Sequence, residues 1–172
     1  DGGIYLHDIT SVTATAVNTV AGDIDLSADT DLTATSVGAT SGAIAITTGN
    51  DSILASVVSG DDNVTVTAGN NITGDAAADV DVTGETLTFI AENDIGAADI
   101  ANYIGLNASE EVNATNNTTA NSDQFFDGSF GAGFPVGLLD AGAGNVTLSS
   151  ATTAITDANE SRKNVIGNNL VI

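Results

Sequence analysis

The chain has 172 residues, no cysteine and no methionine, and sets 18 Asp and 5 Glu against Arg162 and Lys163, for a formal charge of −21. Disulfides, thiolate metal sites and thiol nucleophiles are excluded, and so much negative charge makes nucleic acid and anionic membrane surfaces poor partners, since both are bound through clustered Lys and Arg. No apolar run reaches the ~20 residues that would span a membrane, so no membrane insertion is expected, and 42% apolar content over this length suits one domain with a real core.

An apolar cluster recurs about every twenty residues. It opens at Ile4, Leu6 and Val12, returns at Ile24, Leu26, Ala28, Leu32 and Ala34, and again at Ile44, Ile46, Ile53 and Ala55. Further copies run through Val64, Val66, Ala68 and Ile72, then Leu87, Phe89, Ala91 and Ile95, then Ile104, Leu106, Ala108 and Val112. Val146, Leu148 and Ile155 form a weaker copy, and Leu170 and Ile172 begin another. Fixed-period self-similarity of this kind marks a solenoid.

Within each copy the apolar residues are two apart and alternate with Asp, Ser, Thr, Asn or Gly, as in Ile24-Asp25-Leu26-Ser27-Ala28. That alternation predicts half-buried strands. A third apolar position follows thirteen residues after the first at Val17, Val37 and Val57, with Ile100 at the same offset from Leu87. Three short strands per repeat leave room only for tight corners, which Gly22-Asp23, Gly42, Gly49-Asn50-Asp51 and Gly69-Asn70-Asn71 supply. Twenty residues bury no face alone, so the units must stack. The expected fold is all-β: a right-handed parallel β-helix of about 20 residues per coil and roughly seven to eight coils. Its core ladder would be Ile4, Ile24, Ile44, Val64, Leu87, Ile104 and Val146. Residues 1–172 form one domain, and a start in mid-pattern reads as a piece of a longer or processed protein.

Between Ala114 and Gly144 the pattern fails, and four of the five Phe gather there: Phe125, Phe126, Phe130 and Phe134. Residues 115–143 are expected as an insertion outside the helix, with these rings either folded on the shaft or used as an intermolecular contact.

The strings Gly22-Asp23-Ile24-Asp25-Leu26-Ser27-Ala28-Asp29-Thr30-Asp31-Leu32-Thr33-Ala34, Asn63-Val64-Thr65-Val66-Thr67-Ala68-Gly69-Asn70-Asn71-Ile72-Thr73 and Gly144-Asn145-Val146-Thr147-Leu148-Ser149-Ser150 resemble the repeats of filamentous haemagglutinin-like proteins, the large adhesins of bacterial two-partner secretion. The resemblance covers most of residues 1–115 and 144–172. It implies a right-handed β-helix shaft, an extracellular or cell-surface location, and a role in attachment, biofilm or filament formation. Partners would be further copies, stacked end to end or into a filament, and a glycan or cell-surface receptor.

Catalytic chemistry finds little support. His7 is the sole histidine and has no thiol or second imidazole beside it in the sequence. Carboxylate pairs such as Asp23 with Asp25, Asp79 with Asp81 and Glu110 with Glu111 have the residue types of a glycosidase, so a polysaccharide-binding or polysaccharide-cleaving β-helix is the alternative reading. A non-enzyme is the expectation. No cofactor is expected beyond calcium, which suits oxygen-rich corners, with Asp29, Asp31, Asp61, Asp62 and Asp75 as candidate ligands. Nine Asn-x-Ser/Thr sequons occur, and Asn63, Asn71, Asn117 and Asn145 are the candidate glycosylation sites.

Overall fold

The computed structural model describes residues 2–77, 79–99, 102–117, 121–131, 133–151, 153–160 and 162–172. It is all-β, with parallel strands stacked as a β-solenoid of about 8 turns and about 21 residues per turn. Ile100, expected to line the coil, lies outside the described residues.

The first three coils are near copies. They comprise β1 (Ile4–Asp8), β2 (Val12–Ala14) and β3 (Val17–Thr19); β4 (Ile24–Ala28), β5 (Leu32–Ala34) and β6 (Val37–Ala39); and β7 (Ile44–Thr48), β8 (Ser52–Leu54) and β9 (Val57–Ser59). The next coil adds β10 (Val64–Ala68) and β11 (Ile72–Gly74). Every strand pairs in parallel with its counterpart one coil on, which creates three faces. On the first face Ile4, Ile24, Ile44, Val64 and Leu87 stand in one column, and Leu6, Leu26, Ile46, Val66 and Phe89 in the next. The second face stacks Val12, Leu32, Ser52 and Ile72. The third stacks Val17, Val37, Val57 and Val82. Ile24, Leu26, Leu32, Val57 and Val66 are fully buried, so the alternation in sequence becomes a dry core. Corners are crossed in two to four residues; Gly42 takes φ 133° against the backbone of Gly22, a conformation and an approach that a Cβ would obstruct.

Beyond Ala68 the coils lengthen, from 20 residues between Ile24 and Ile44 to 25 between Leu87 and Val112. The strands also fuse around corners. In β12 (Val82–Ala91) residues 82–83 pair with β9 and residues 87–91 with β10, with a register shift between Gly84 and Thr86. β13 (Ile104–Asn116) likewise spans several faces. β14 (Gln124–Asp127), β15 (Phe134–Asp140), β16 (Asn145–Ser149), β17 (Ile155–Asp157), β18 (Val165–Ile166) and β19 (Asn169–Val171) complete the stack.

Three expectations are corrected here. Residues 115–143 are not an insertion outside the helix: β14 lies between β13 and β16, and β15 pairs with β13, β17 and β18. The period is lost because apolar residues change type and spacing, while the backbone ladder continues. Ile104 is buried, but it stacks on Phe126; Val112 and then Val136 continue the Leu87 column. Val146 belongs to the second face, in the column Ile72, Ile95, Gln124, Val146 and Leu170.

The rings have a packing explanation. A longer coil encloses a wider section, and Phe126 and Phe134 fill it, with Phe126 5.7 Å from Phe89 and 6.4 Å from Phe134 between ring centroids. The true excursions are elsewhere. Only Ala55 and Ser56 separate β8 from β9, whereas seven residues, 75–81, separate β11 from β12. Between Ile95 and Ile104 the described residues, 96–99 and 102–103, form no strand. Among the described residues no helix is long and apolar enough to cross a membrane.

Candidate functional site

Two polar constructions stand out on the shaft, and the first is a ladder along the corner that precedes the second face. The Asp31 Oδ1 accepts the Asp51 N–H at 3.3 Å, Asp51 Oδ1 the Asn71 N–H at 3.0 Å, and Asn71 Oδ1 the Asp94 N–H at 3.1 Å. Asp94 Oδ1 then accepts the Asp123 N–H, and Asp123 Oδ1 the Asn145 N–H, each at 2.7 Å. Neighbouring amides reinforce it: Asn50 donates to Asp31 at 2.6 Å and Asn70 to Asp51 at 2.7 Å. Only side chains one carbon long and ending in a carbonyl or carboxylate oxygen fill this position. That geometry explains the Asn and Asp corners seen in the sequence. The Asn50 amide and then the Asp51 N–H hold the Asp31 carboxyl below its usual range.

The second construction is the enlarged corner at residues 75–81. At the equivalent place the earlier coils carry Ser36 and Ser56, whose carbonyls accept the N–H of Val17 and Val37; Asp81 takes over this role and accepts the Val57 N–H at 2.8 Å. Its backbone N–H donates to the Gly105 carbonyl at 2.9 Å. Its side chain is fully buried: Oδ2 accepts the Gly105 N–H at 2.7 Å and Oδ1 has no hydrogen-bond partner. Gly105 is required there, because a Cβ would lie 1.9 Å from the Asp79 carbonyl oxygen.

The five extra residues of this corner bring two more carboxylates to the same place. Oxygens of Asp75, Asp79 and Asp81 lie within 4.8 Å of one another, with Asp75 and Asp79 exposed. Asp75 Oδ1 accepts the Ala77 N–H at 2.9 Å, and Ala76 turns the chain at φ 69°. Burial raises the Asp81 carboxyl to about 7, against the opposing Gly105 hydrogen bond, and the negative charges of Asp75 and Asp79 add to the rise.

Of the candidate calcium ligands, only Asp75 joins a group of three acidic side chains among the described residues. Asp31 is committed to the ladder. Asp62 caps its own corner, accepting the Asn63 N–H at 2.8 Å, and Asp61 is exposed. Asp29 sits 3.7 Å from His7 Nε2, and His7 Nδ1 meets Ser27 Oγ at 2.9 Å; all three are on the outer side of the first face or its corner. In the sequence Asp79 and Asp81 stand out only as a carboxylate pair, apart from Asp75. The signal that would have found the trio is the slip from a twenty-residue to a twenty-three-residue coil between Val64 and Leu87.

Of the rings, Phe126 and Phe134 are buried, Phe130 is exposed, and Phe125 projects outward against Tyr103 at 5.5 Å. Of the glycosylation candidates, the Asn71 and Asn145 amides donate to Asp51 at 3.1 Å and to Asp123 at 3.0 Å, so both nitrogens are already engaged. Asn63 is exposed and its Oδ1 accepts the Thr86 N–H at 3.2 Å. Asn117 is exposed and reaches Glu92 at 3.4 Å, while Thr119 of its sequon lies outside the described residues.

Fold and polar corners together define a parallel β-solenoid whose edge is tied by an Asn/Asp ladder and whose fourth coil bears a three-carboxylate corner. Comparison of the chain with family models, with curated proteins and with solved structures finds no match.

Proposed function

We propose that this chain is a non-enzymatic, extracellular structural module, a stiff acidic shaft of a surface adhesin or extracellular filament. The observation that carries the reading is continuity: parallel strand pairing and the corner ladder carry on from coil to coil through the stretch where the sequence repeat is lost, although Ser52 and Gln124 interrupt the aliphatic rows. A stack tied by backbone bonds, side-chain ladders and a dry core resists bending, which is what a stalk requires. About 8 turns at a strand spacing of ~4.8 Å make a rod roughly 35 to 40 Å long. The outward positions carry Asp, Thr, Ser and Asn, and their charge opposes sideways association of a long β-rod. The likeness to filamentous haemagglutinin-like repeats supports the extracellular setting. Electron microscopy of the purified chain is the test: uniform short rods or fibres built from them support the reading, and rounded or amorphous particles overturn it.

One observation favours the second reading, a polysaccharide-binding β-helix. The Tyr103 and Phe125 rings form an outward pair, and a shallow cleft of 330 Å³ beside Tyr103 is lined by the hydroxyls of Thr147, Ser149 and Ser150 together with apolar Leu148, Ala151, Val171 and Ile172. A glycan array probed with the wild type and with Tyr103→Ala separates the two, since loss of a specific signal in the variant is expected only if sugars dock there.

A further inference from the structure

We propose that Asp75, Asp79 and Asp81 form a calcium site that closes the enlarged corner of the fourth coil. The inference is independent of the shaft reading, because a bound ion would tie this corner whatever the rod is for.

A group of acidic side chains in so acidic a chain carries no weight alone. The second observation is Asp81 itself. Its carboxylate is fully buried, faces the other two, and leaves Oδ1 without a hydrogen bond. Buried side-chain oxygens almost always have partners, and an orphan in a native corner points to a group that supplies one. Burying a carboxylate beside two like charges is costly unless something neutralises it. A divalent cation answers all of this at once: it ligates Oδ1 and offsets the charge of Asp75 and Asp79.

The donor set selects the ion. All three side chains offer oxygen only, which suits hard cations rather than zinc or copper. Two oxygens on one calcium ion stand at most about 5 Å apart, twice a bond of ~2.3–2.6 Å, whereas magnesium at ~2.0–2.1 Å spans only about 4 Å. Oxygens within 4.8 Å of one another can share one ion, and an open, partly exposed corner suits the flexible coordination of calcium better than the strict octahedron of magnesium. The remaining coordination sites face solvent through exposed Asp75 and Asp79, and water would fill them. A site with three carboxylates and water belongs with extracellular modules of weak affinity, Kd about 10⁻⁴–10⁻³ M.

The test uses the full chain, stripped with chelator and titrated with CaCl₂ by calorimetry at pH 7.5, with MgCl₂ and NaCl at matched ionic strength to account for screening of the −21 charge. One saturable site for calcium, with magnesium at least tenfold weaker, is expected. Asp79→Asn, at an exposed position and with an unchanged circular-dichroism spectrum as the check on folding, should weaken calcium at least tenfold, and Asp81→Asn should abolish saturation. Asp29→Asn, at a different corner and two coils away, should leave the titration unchanged. No saturable heat in the wild type, equal responses to calcium and magnesium, or undiminished binding in Asp79→Asn would each overturn the proposal.

Discussion

The Asp94 carboxylate accepts the backbone N–H of Asp123 at 2.7 Å, joining residues 29 apart across one coil step. Asp31 and Asp51 make the same bond 20 residues apart. The corner therefore keeps its register while the chain between successive corners lengthens, and the ladder, rather than the repeat length, defines a coil.

Breaking the ladder at its best-connected rung should be expensive. Asp51 accepts the Asn71 N–H at 3.0 Å and the Asn70 and Asn71 amides at 2.7 and 3.1 Å. Asp51→Ala leaves these donors without a partner at a half-buried corner, a cost of about 1–3 kcal/mol. Asp51→Asn retains an oxygen in the same place and should lose less than half as much. Urea denaturation followed by circular dichroism compares the two.

The two adjacent rings should behave oppositely. Phe126 is buried between Phe89 and Phe134, so Phe126→Ala should cost about 3–5 kcal/mol through lost burial and a cavity. Phe125 points outward onto Tyr103, and Phe125→Ala should cost only the ring pair, about 0.5–1.5 kcal/mol. Equal losses in thermal unfolding would contradict the assignment of Phe126 to the core and Phe125 to the surface.

Asp81 predicts a stability that falls with rising pH. Its carboxyl titrates near 7 in the folded state against an ordinary value of 3.8, so between these values the folded chain holds a proton that the unfolded chain releases. In the absence of divalent cations, stability from this group is complete below about pH 4 and is lost as pH rises through about 7. With each unit equivalent to 1.36 kcal/mol, the loss is about 4 kcal/mol. The groups facing it are the carboxylates of Asp75 and Asp79, which raise its pKa further, and the backbone N–H groups of Gly105 and Asp75, which oppose the rise. Unfolding midpoints in chelator at pH 5.5, 6.5 and 8 should decline in the wild type and flatten in Asp81→Asn.

Net charge predicts a dependence on simple salt. His7 Nε2 and Asp29 approach to 3.7 Å, both exposed, and Arg162 and Lys163 are the only Lys or Arg set against 23 acidic side chains. Repulsion among so many carboxylates is moderated by salt, with a screening length that shrinks from ~30 Å at 0.01 M to ~8 Å at 0.15 M. The melting temperature in chelator should rise by several degrees over that interval of NaCl; a flat or falling curve would show that self-repulsion contributes little.

The repeat from Ile4 to Ile72 could be read directly, because period-two alternation, twenty-residue spacing and Gly or Asn corners all reflect local geometry of the chain. Those residues stack as expected, Ile24 on Ile44 on Val64. The reading failed where the coil widened. Phe126 and Phe134 look like an aromatic loop in a linear pattern, since nothing local announces that neighbouring coils have opened a space for them. Ile104 and Val146 fall in other columns than the period suggests for a related cause: β13 passes from face to face as one continuous strand, so Gly105, Asn107 and Asn113 lie inside it and do not mark the ends of separate strands.

Amino-acid order by itself determined the architecture, the inward aliphatic rows and the acidic exterior, because each follows from which side of a strand a residue occupies. Tertiary structure alone decided that Asp81 is buried and that Asp75 and Asp79 share its corner. Burial and shared geometry depend on what the adjacent coil places against a residue, here Gly105 twenty-four positions away, and no short stretch of chain contains that information.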